Sequence, residues 1–125
     1  MSNIYTNFKA KLSTNALTTI YTVPAEKAAI IKSIRVSNED TANDCNISVS
    51  LVDSNSISYN LETDRTIQAK RSQEILATGN MAQDTSDSSV AAPAPLIAKE
   101  SEKIQAQAQN GNDLSIIISV LEISD

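Results

Sequence analysis

The sequence predicts an all-β chain folded as an antiparallel β-sandwich of jelly-roll type. Three observations lead there. Apolar residues recur at every second position in several runs, the pattern of a strand with one buried and one wet face. Isoleucine, valine and threonine are frequent in those runs, and branching at Cβ suits a pleated strand better than a helix. Clusters of Asp, Asn, Ser and Pro separate the runs, as turns between short strands require. A length of 125 residues suits one sandwich domain, expected over 1–125, and can bury a core without disulfides. Aromatic residues are only 3% of the chain, so that core must be aliphatic.

Along the chain, Phe8, Ala10 and Leu12 alternate with Lys9 and Lys11. Lysines on one side of a strand protect an exposed edge, so residues 1–12 are expected to form an edge strand or arm. Leu17 to Val23 is a second strand, ended by Pro24, which lacks the N–H that a ladder needs. Ala28 to Asn38 carries Ile30, Ile34 and Val36 on one parity and Ile31 on the other. Either both faces are partly covered, or a bulge near Lys32-Ser33 shifts the phase. The polar stretch Asn38 to Asn46 turns the chain. In Asn46 to Val52, residues Ile47, Val49 and Leu51 alternate with Asn46, Ser48 and Ser50. Asp53-Ser54-Asn55-Ser56 then reads as a turn, and Ile57, Tyr59 and Leu61 as the second half of a β-hairpin.

Ile67 to Leu76 is ambiguous. Ser72 suits the N-cap of a short helix, but the pattern favours strand pieces. Residues 79–95 have the composition of a long surface loop: Asp84 to Ser89 is wholly polar, and Ala91-Ala92-Pro93-Ala94-Pro95 is stiff and extended. A loop of that length is either a disordered excursion or a contact with a neighbouring subunit. Glu102 to Gln109 is rich in helix formers, yet Ile104, Ala106 and Ala108 alternate with Lys103, Gln105 and Gln107. The period of two argues for a strand that partners the next segment. Asn110-Gly111-Asn112-Asp113 is the strongest turn signal of the chain. It leads to a last strand with Leu114, Ile116, Ile118 and Val120 on one side and Ile117, Leu121 and Ile123 on the other. A strand apolar on both faces is central in the fold or pairs across a subunit boundary.

The residue inventory removes most chemistry. Histidine is absent, which excludes Ser-His and Cys-His nucleophiles and His-ligated zinc. Gly79 and Gly111 are the only glycines, too few for a phosphate-cradling loop or a dinucleotide fingerprint. Cys45 is the sole cysteine, so no internal disulfide or cysteine cage forms, and its acidic setting gives no reason for thiol reactivity. Glu100 with Glu102 and Asp84 with Asp87 are the local carboxylate pairs. Both read as solvated charge, and the second lacks the oxygen ligands and glycine of a calcium loop. Asn46-Ile47-Ser48 fits a glycosylation acceptor but reads as ordinary strand. Tyr5, Tyr21 and Tyr59 suit core or interface packing better than sugar stacking. No enzyme activity, cofactor or metal is expected. The net charge of −5, with scattered cations, speaks against nucleic acid and anionic membranes as partners. No apolar run reaches the length of a bilayer span, and the first residues carry no signal-peptide core.

Leu17 to Asn38 reads Leu-Thr-Thr-Ile-Tyr-Thr-Val-Pro-Ala-Glu-Lys-Ala-Ala-Ile-Ile-Lys-Ser-Ile-Arg-Val-Ser-Asn. It resembles small virion structural proteins of tailed bacteriophages, in which a strand ending in Tyr-x-Val-Pro-Ala turns tightly into a long apolar strand closed by asparagine. Ile47 to Leu51, and Leu96-Ile97 through Ile104-Gln105-Ala106 to the final aliphatic strand, extend the resemblance to about two-thirds of the chain. Glu26 stands where such proteins often have glycine, Lys99-Glu100-Ser101-Glu102 replaces a Gly-Asp pair, and Met81 to Ala94 looks like an insertion. The resemblance implies a non-catalytic β-sandwich that binds other virion proteins and copies of itself. It implies a capsid decoration protein on the particle exterior, made in the host cytoplasm; the alternatives are a neck, collar, tail or fibre component, or a carbohydrate-binding module. The expected contact residues are Tyr5, Phe8, Lys9 and Lys11 in the N-terminal piece, Met81, Val90, Pro93 and Pro95 in the long loop, and Ile117, Leu121 and Ile123 in the last strand.

Overall fold

The computed structural model describes residues 2–76, 95–109 and 114–124, and among these it holds nine strands and no helix. They are β1 (Ser2–Leu12), β2 (Thr18–Thr22), β3 (Lys27–Asn38), β4 (Cys45–Val52), β5 (Ser58–Ile67), β6 (Ser72–Glu74), β7 (Leu96–Ala98), β8 (Lys103–Ala108) and β9 (Leu114–Ser124). One sheet runs β1-β9-β3-β6, with β7 also paired to β3; the other runs β2-β8-β4-β5. Every pairing is antiparallel. The fold is the antiparallel β-sandwich that the alternation implies.

The inward positions of the two sheets meet in one aliphatic core. Ile31, Ile34, Val36, Ile116, Ile118 and Val120 come from the first sheet, and Ile47, Val49, Ile67, Ile104, Ala106 and Ala108 from the second. β9 lies between β1 and β3, so its even-numbered residues fill the core. β1 is the edge strand expected from its lysines.

The parity conflict in β3 is resolved by a bulge. The register against β9 shifts between Ile31 and Ser33, so Lys32 is the extra residue. Ile31 and Ile34 therefore both reach the core. The bulge is held from β6: the Glu74 carboxylate accepts the Ser33 hydroxyl at 2.5 Å and the Ile34 N–H at 2.7 Å. At the end of β3, Asn38 is buried. Its Nδ2 donates to the carbonyls of Asn43 (3.0 Å) and Ile67 (2.9 Å), and its Oδ1 accepts the Asp40 N–H. The closing asparagine thus ties the first sheet to β5 of the second.

The β4–β5 hairpin turns where expected. The Asp53 carboxylate accepts the N–H groups of Asn55 and Ile57, and Ser56 takes φ 65°. Ser72 begins β6 rather than capping a helix. One expectation fails. Ile104 to Ala108 was expected to partner the segment after Asn110-Gly111, but β8 pairs with β2 and β4, whereas β9 pairs with β1 and β3. The two strands belong to different sheets, so the connection crosses the sandwich. Core packing of both strands outweighs the hairpin preference of Asn-Gly; residues 110–113 themselves lie outside the described residues, as do residues 79–94 of the expected long loop.

Candidate interaction surface

Register places the outward residues of the first sheet in rows across its strands. Tyr5 of β1 stands opposite Leu121 of β9, which stands opposite Ile30 of β3, which stands opposite Ile97 of β7. This row is apolar from edge to edge, with Tyr5 75% and Ile97 66% exposed. Ile123 and Ala28 extend it on one side. Two rows in the other direction, Lys9, Ile117 and Arg35 stand opposite one another, with Ile117 42% exposed. Between them, the small Ser119 leaves a depression of about 400 Å³ lined also by Tyr5, Asn7 and Lys32.

Cations outnumber carboxylates on this face. Lys9, Lys11, Lys32 and Arg35 lie on or beside it, with Glu74, engaged by the bulge opposite Arg35, and Glu39 as its carboxylates. Lys11 reaches Glu39 at 3.3 Å. Among the described residues no ion pair engages Lys9, Lys32 or Arg35. The chain as a whole carries 15 acidic and 10 basic residues, so this face is cationic on an acidic molecule.

The second sheet presents the opposite character. Its outward side carries Thr19, Asn46, Ser48, Asn60, Thr66, Gln105 and Gln107. Several of these satisfy one another or nearby backbone: Gln105 donates to Thr19 at 2.9 Å, Thr66 to Asn46 at 2.8 Å, Gln107 to the Asn15 carbonyl at 3.0 Å, and Ser48 accepts the Asp64 N–H at 3.0 Å. A face of this kind is wet without needing a partner.

The expected contact residues divide accordingly. Tyr5, Lys9, Ile117, Leu121 and Ile123 gather on the outward face of the first sheet, and Lys11 lies along the same strand side. Phe8 turns inward. It stacks on Tyr21 with ring centroids 4.4 Å apart and packs against the core. Pro95 is exposed beside β7. Met81, Val90 and Pro93 lie outside the described residues. Sequence reasoning missed Ile30 and Ile97, which complete the apolar row. Their outward direction follows only from the Lys32 bulge and from the pairing of β7 with β3.

Carboxylates that looked like candidate acids hold structure. Glu100 accepts the Glu26 N–H at 2.6 Å, and Glu102 accepts the Lys99 N–H at 2.7 Å. Glu122, an inward residue of β9, is buried. It accepts the Tyr21 hydroxyl at 2.7 Å and meets Lys27 at 3.5 Å. Burial, then the Glu122 carboxylate beside it, pushes the Tyr21 phenol well above its usual range. Cys45 is fully buried at the start of β4. Among the described residues no three Cys, Asp or Glu side chains gather as a metal site.

No protein-family model matches the sequence, and no curated protein matches it either. Solved structures do match in shape. A chain of the acid-stable capsid of Helicobacter pylori bacteriophage KHP30 aligns over 100% of this chain and 90% of its own, at 12% identity and a TM-score of 0.51. A Drosophila NLP-core chain aligns over 96% and 98%, at 13% identity and 0.49. A chain from the disulfide-linked pili of Bacillus endospore appendages aligns over 98% and 85%, at 6% identity and 0.47. At these identities the likeness is one of fold: the described residues form a β-sandwich similar to that of a chain in a phage capsid.

Proposed function

We propose that this chain is a non-enzymatic structural protein of a tailed-phage virion, placed on the particle as a capsid decoration protein. The observation that carries the reading is the row Tyr5–Leu121–Ile30–Ile97, a solvent-facing apolar band across four strands. Large apolar side chains aligned in this way mark a surface that another protein covers. Near this face Glu100 is occupied by the Glu26 N–H, Glu74 by the bulge and Glu39 by Lys11. The mechanism is mechanical: the face buries apolar area against neighbouring virion subunits and holds them together. The resemblance of Leu17 to Asn38 to tailed-phage virion proteins and the capsid-like fold support the same role.

The experiment is mass spectrometry of purified particles from the phage that carries the gene. The expected result is this chain at a copy number that scales with the major capsid subunit. A handful of copies per particle moves the protein to the neck or tail, and its absence from particles ends the reading.

A further inference from the structure

One side of the sandwich holds a cleft that the apolar row does not use. β5 ends the second sheet and β6 ends the first. Between these strands and the connection that joins them lies a cavity of about 390 Å³. Its lining includes Arg65, Gln68, Arg71, Ser72 and Gln73, and no carboxylate. Register turns two of these residues toward the interior: Arg65 stands opposite the buried Ile47, and Gln73 opposite the buried Val36. Polar side chains thus take positions that apolar residues fill nearer the middle of each sheet.

Both arginines are held in place. Arg65 keeps 29% of its side chain exposed, and its guanidinium donates to Glu62 at 2.6 Å. That bond uses one N–H of the planar fork and orients the rest. Arg71 sits in a connection pinned at successive residues. The Ala69 N–H donates to the Asp44 carboxylate, the Lys70 N–H to the Asp40 carbonyl and the Arg71 N–H to the Gln68 carbonyl; the Arg71 carbonyl accepts the Asn38 N–H at 2.8 Å. Among the described residues the Arg71 guanidinium meets no acceptor, and neither does the Gln68 amide or the Ser72 hydroxyl. The surrounding carboxylates are engaged elsewhere: Asp40 by the N–H groups of Ala42 and Asn43, Asp44 by Ala69, and Glu74 by the β3 bulge. The cleft is therefore rich in donors and positive charge, on a chain of net charge −5.

We infer that this cleft binds a carboxylate, the side chain of an Asp or Glu on an extended segment of a partner protein. A guanidinium fork matches the two oxygens of a carboxylate. β5 and β6 are end strands, and such strands present backbone N–H and C=O groups with which an extended segment pairs. No aromatic ring lines the cleft to stack a sugar. A nucleic-acid strand, charged along its whole length, is repelled by the acidic molecule around the cleft. The inference uses no residue of the apolar row, so it holds or fails independently of the proposed role.

The experiment is an NMR titration of the isotopically labelled full chain that follows the arginine Nε–H signals and the backbone of β6. The probe is the peptide acetyl-Ser-Val-Glu-Val-Ser-amide; its counterpart carries Gln in place of Glu. The Glu peptide is expected to shift the signals of Arg65, Arg71, Ser72 and Gln73 to saturation, and the Gln peptide to leave them in place. Arg71→Gln alters an exposed side chain that bonds nothing else, so its remaining spectrum should be unchanged while the peptide binds about tenfold more weakly. Lys99→Gln removes the same charge beside β7, which pairs with the far end of β3, and should bind as the natural chain does. Absence of shifts, equal shifts from the Gln peptide, or equal losses from Arg71→Gln and Lys99→Gln overturn the inference. So does undiminished binding by Arg71→Gln. Sulfate or glucuronate that saturates the same signals at lower concentration than the Glu peptide assigns the cleft to a free oxyanion or an acidic sugar, and the partner segment is then overturned.

Discussion

At the scale of single residues, three side chains carry roles that the sequence half revealed. Glu26 sits in the turn between β2 and β3 at φ 64°, a region where a Cβ is strained and glycine is not. It occupies the position at which related patterns favour glycine, so the structure gives that departure a physical cost. Glu26→Gly is expected to raise stability by about 0.5–1 kcal/mol in urea denaturation, because relieved strain exceeds the added freedom of the unfolded chain. Tyr21 could be read from sequence as a packing residue. Its partner Glu122 could not, because the pair joins β2 to a strand 101 positions away. Tyr21→Phe removes a donor from a buried carboxylate and is expected to cost about 2 kcal/mol at neutral pH. The same pair sets an alkaline limit. The folded-state phenol titrates above its unfolded value near 10, so the folded protein holds this proton more tightly than the unfolded one. That contribution is complete below about pH 10 and declines as pH rises beyond it. Urea melts from pH 9 to 11 should therefore show a loss in the natural chain that is smaller in Tyr21→Phe.

At the scale of elements, most strands were legible because alternation reports burial directly. The last strand reads inward at Leu114, Ile116, Ile118 and Val120 in both the sequence and the fold. β3 was legible only as a conflict, since periodicity cannot decide between a strand covered on both faces and a bulge. The deciding residue, Glu74, lies on a three-residue strand 40 positions downstream. Glu74→Ala leaves the Ile34 N–H of the bulge without its acceptor and is expected to cost about 2 kcal/mol. Glu74→Gln retains an acceptor and should cost less; comparing the two melts separates the hydrogen bond from the charge. The β8–β9 connection was misread because Asn-Gly reports only local backbone preference. Which sheet each flanking strand joins is set by the core, where Ile104 and Ala106 pack from one sheet and Ile116 and Ile118 from the other.

At the scale of the whole molecule, the division of labour between the two faces makes the last prediction. One face is mostly uncharged polar groups bonded to one another; the other is apolar and cationic. Tyr5→Glu and Ile97→Asp alter exposed side chains, so each should shift thermal stability by no more than about 0.5 kcal/mol. Both place a carboxylate in the middle of the contact band, where burial without a partner is costly. In the proposed role, particles assembled with either variant should carry far fewer copies of the chain, read by densitometry of purified particles. Gln107→Glu on the opposite face adds the same charge and should leave the copy number unchanged. The comparison separates contact from charge, since all three variants make the chain more acidic by one unit and only two of them touch the apolar row. Raising salt should slow association of the natural chain, because Lys9, Lys32 and Arg35 attract a partner through a field that ions screen. It should leave the apolar part of the contact in place. Equal losses from Gln107→Glu and Ile97→Asp would mean that net charge governs attachment, and the apolar row would lose its role.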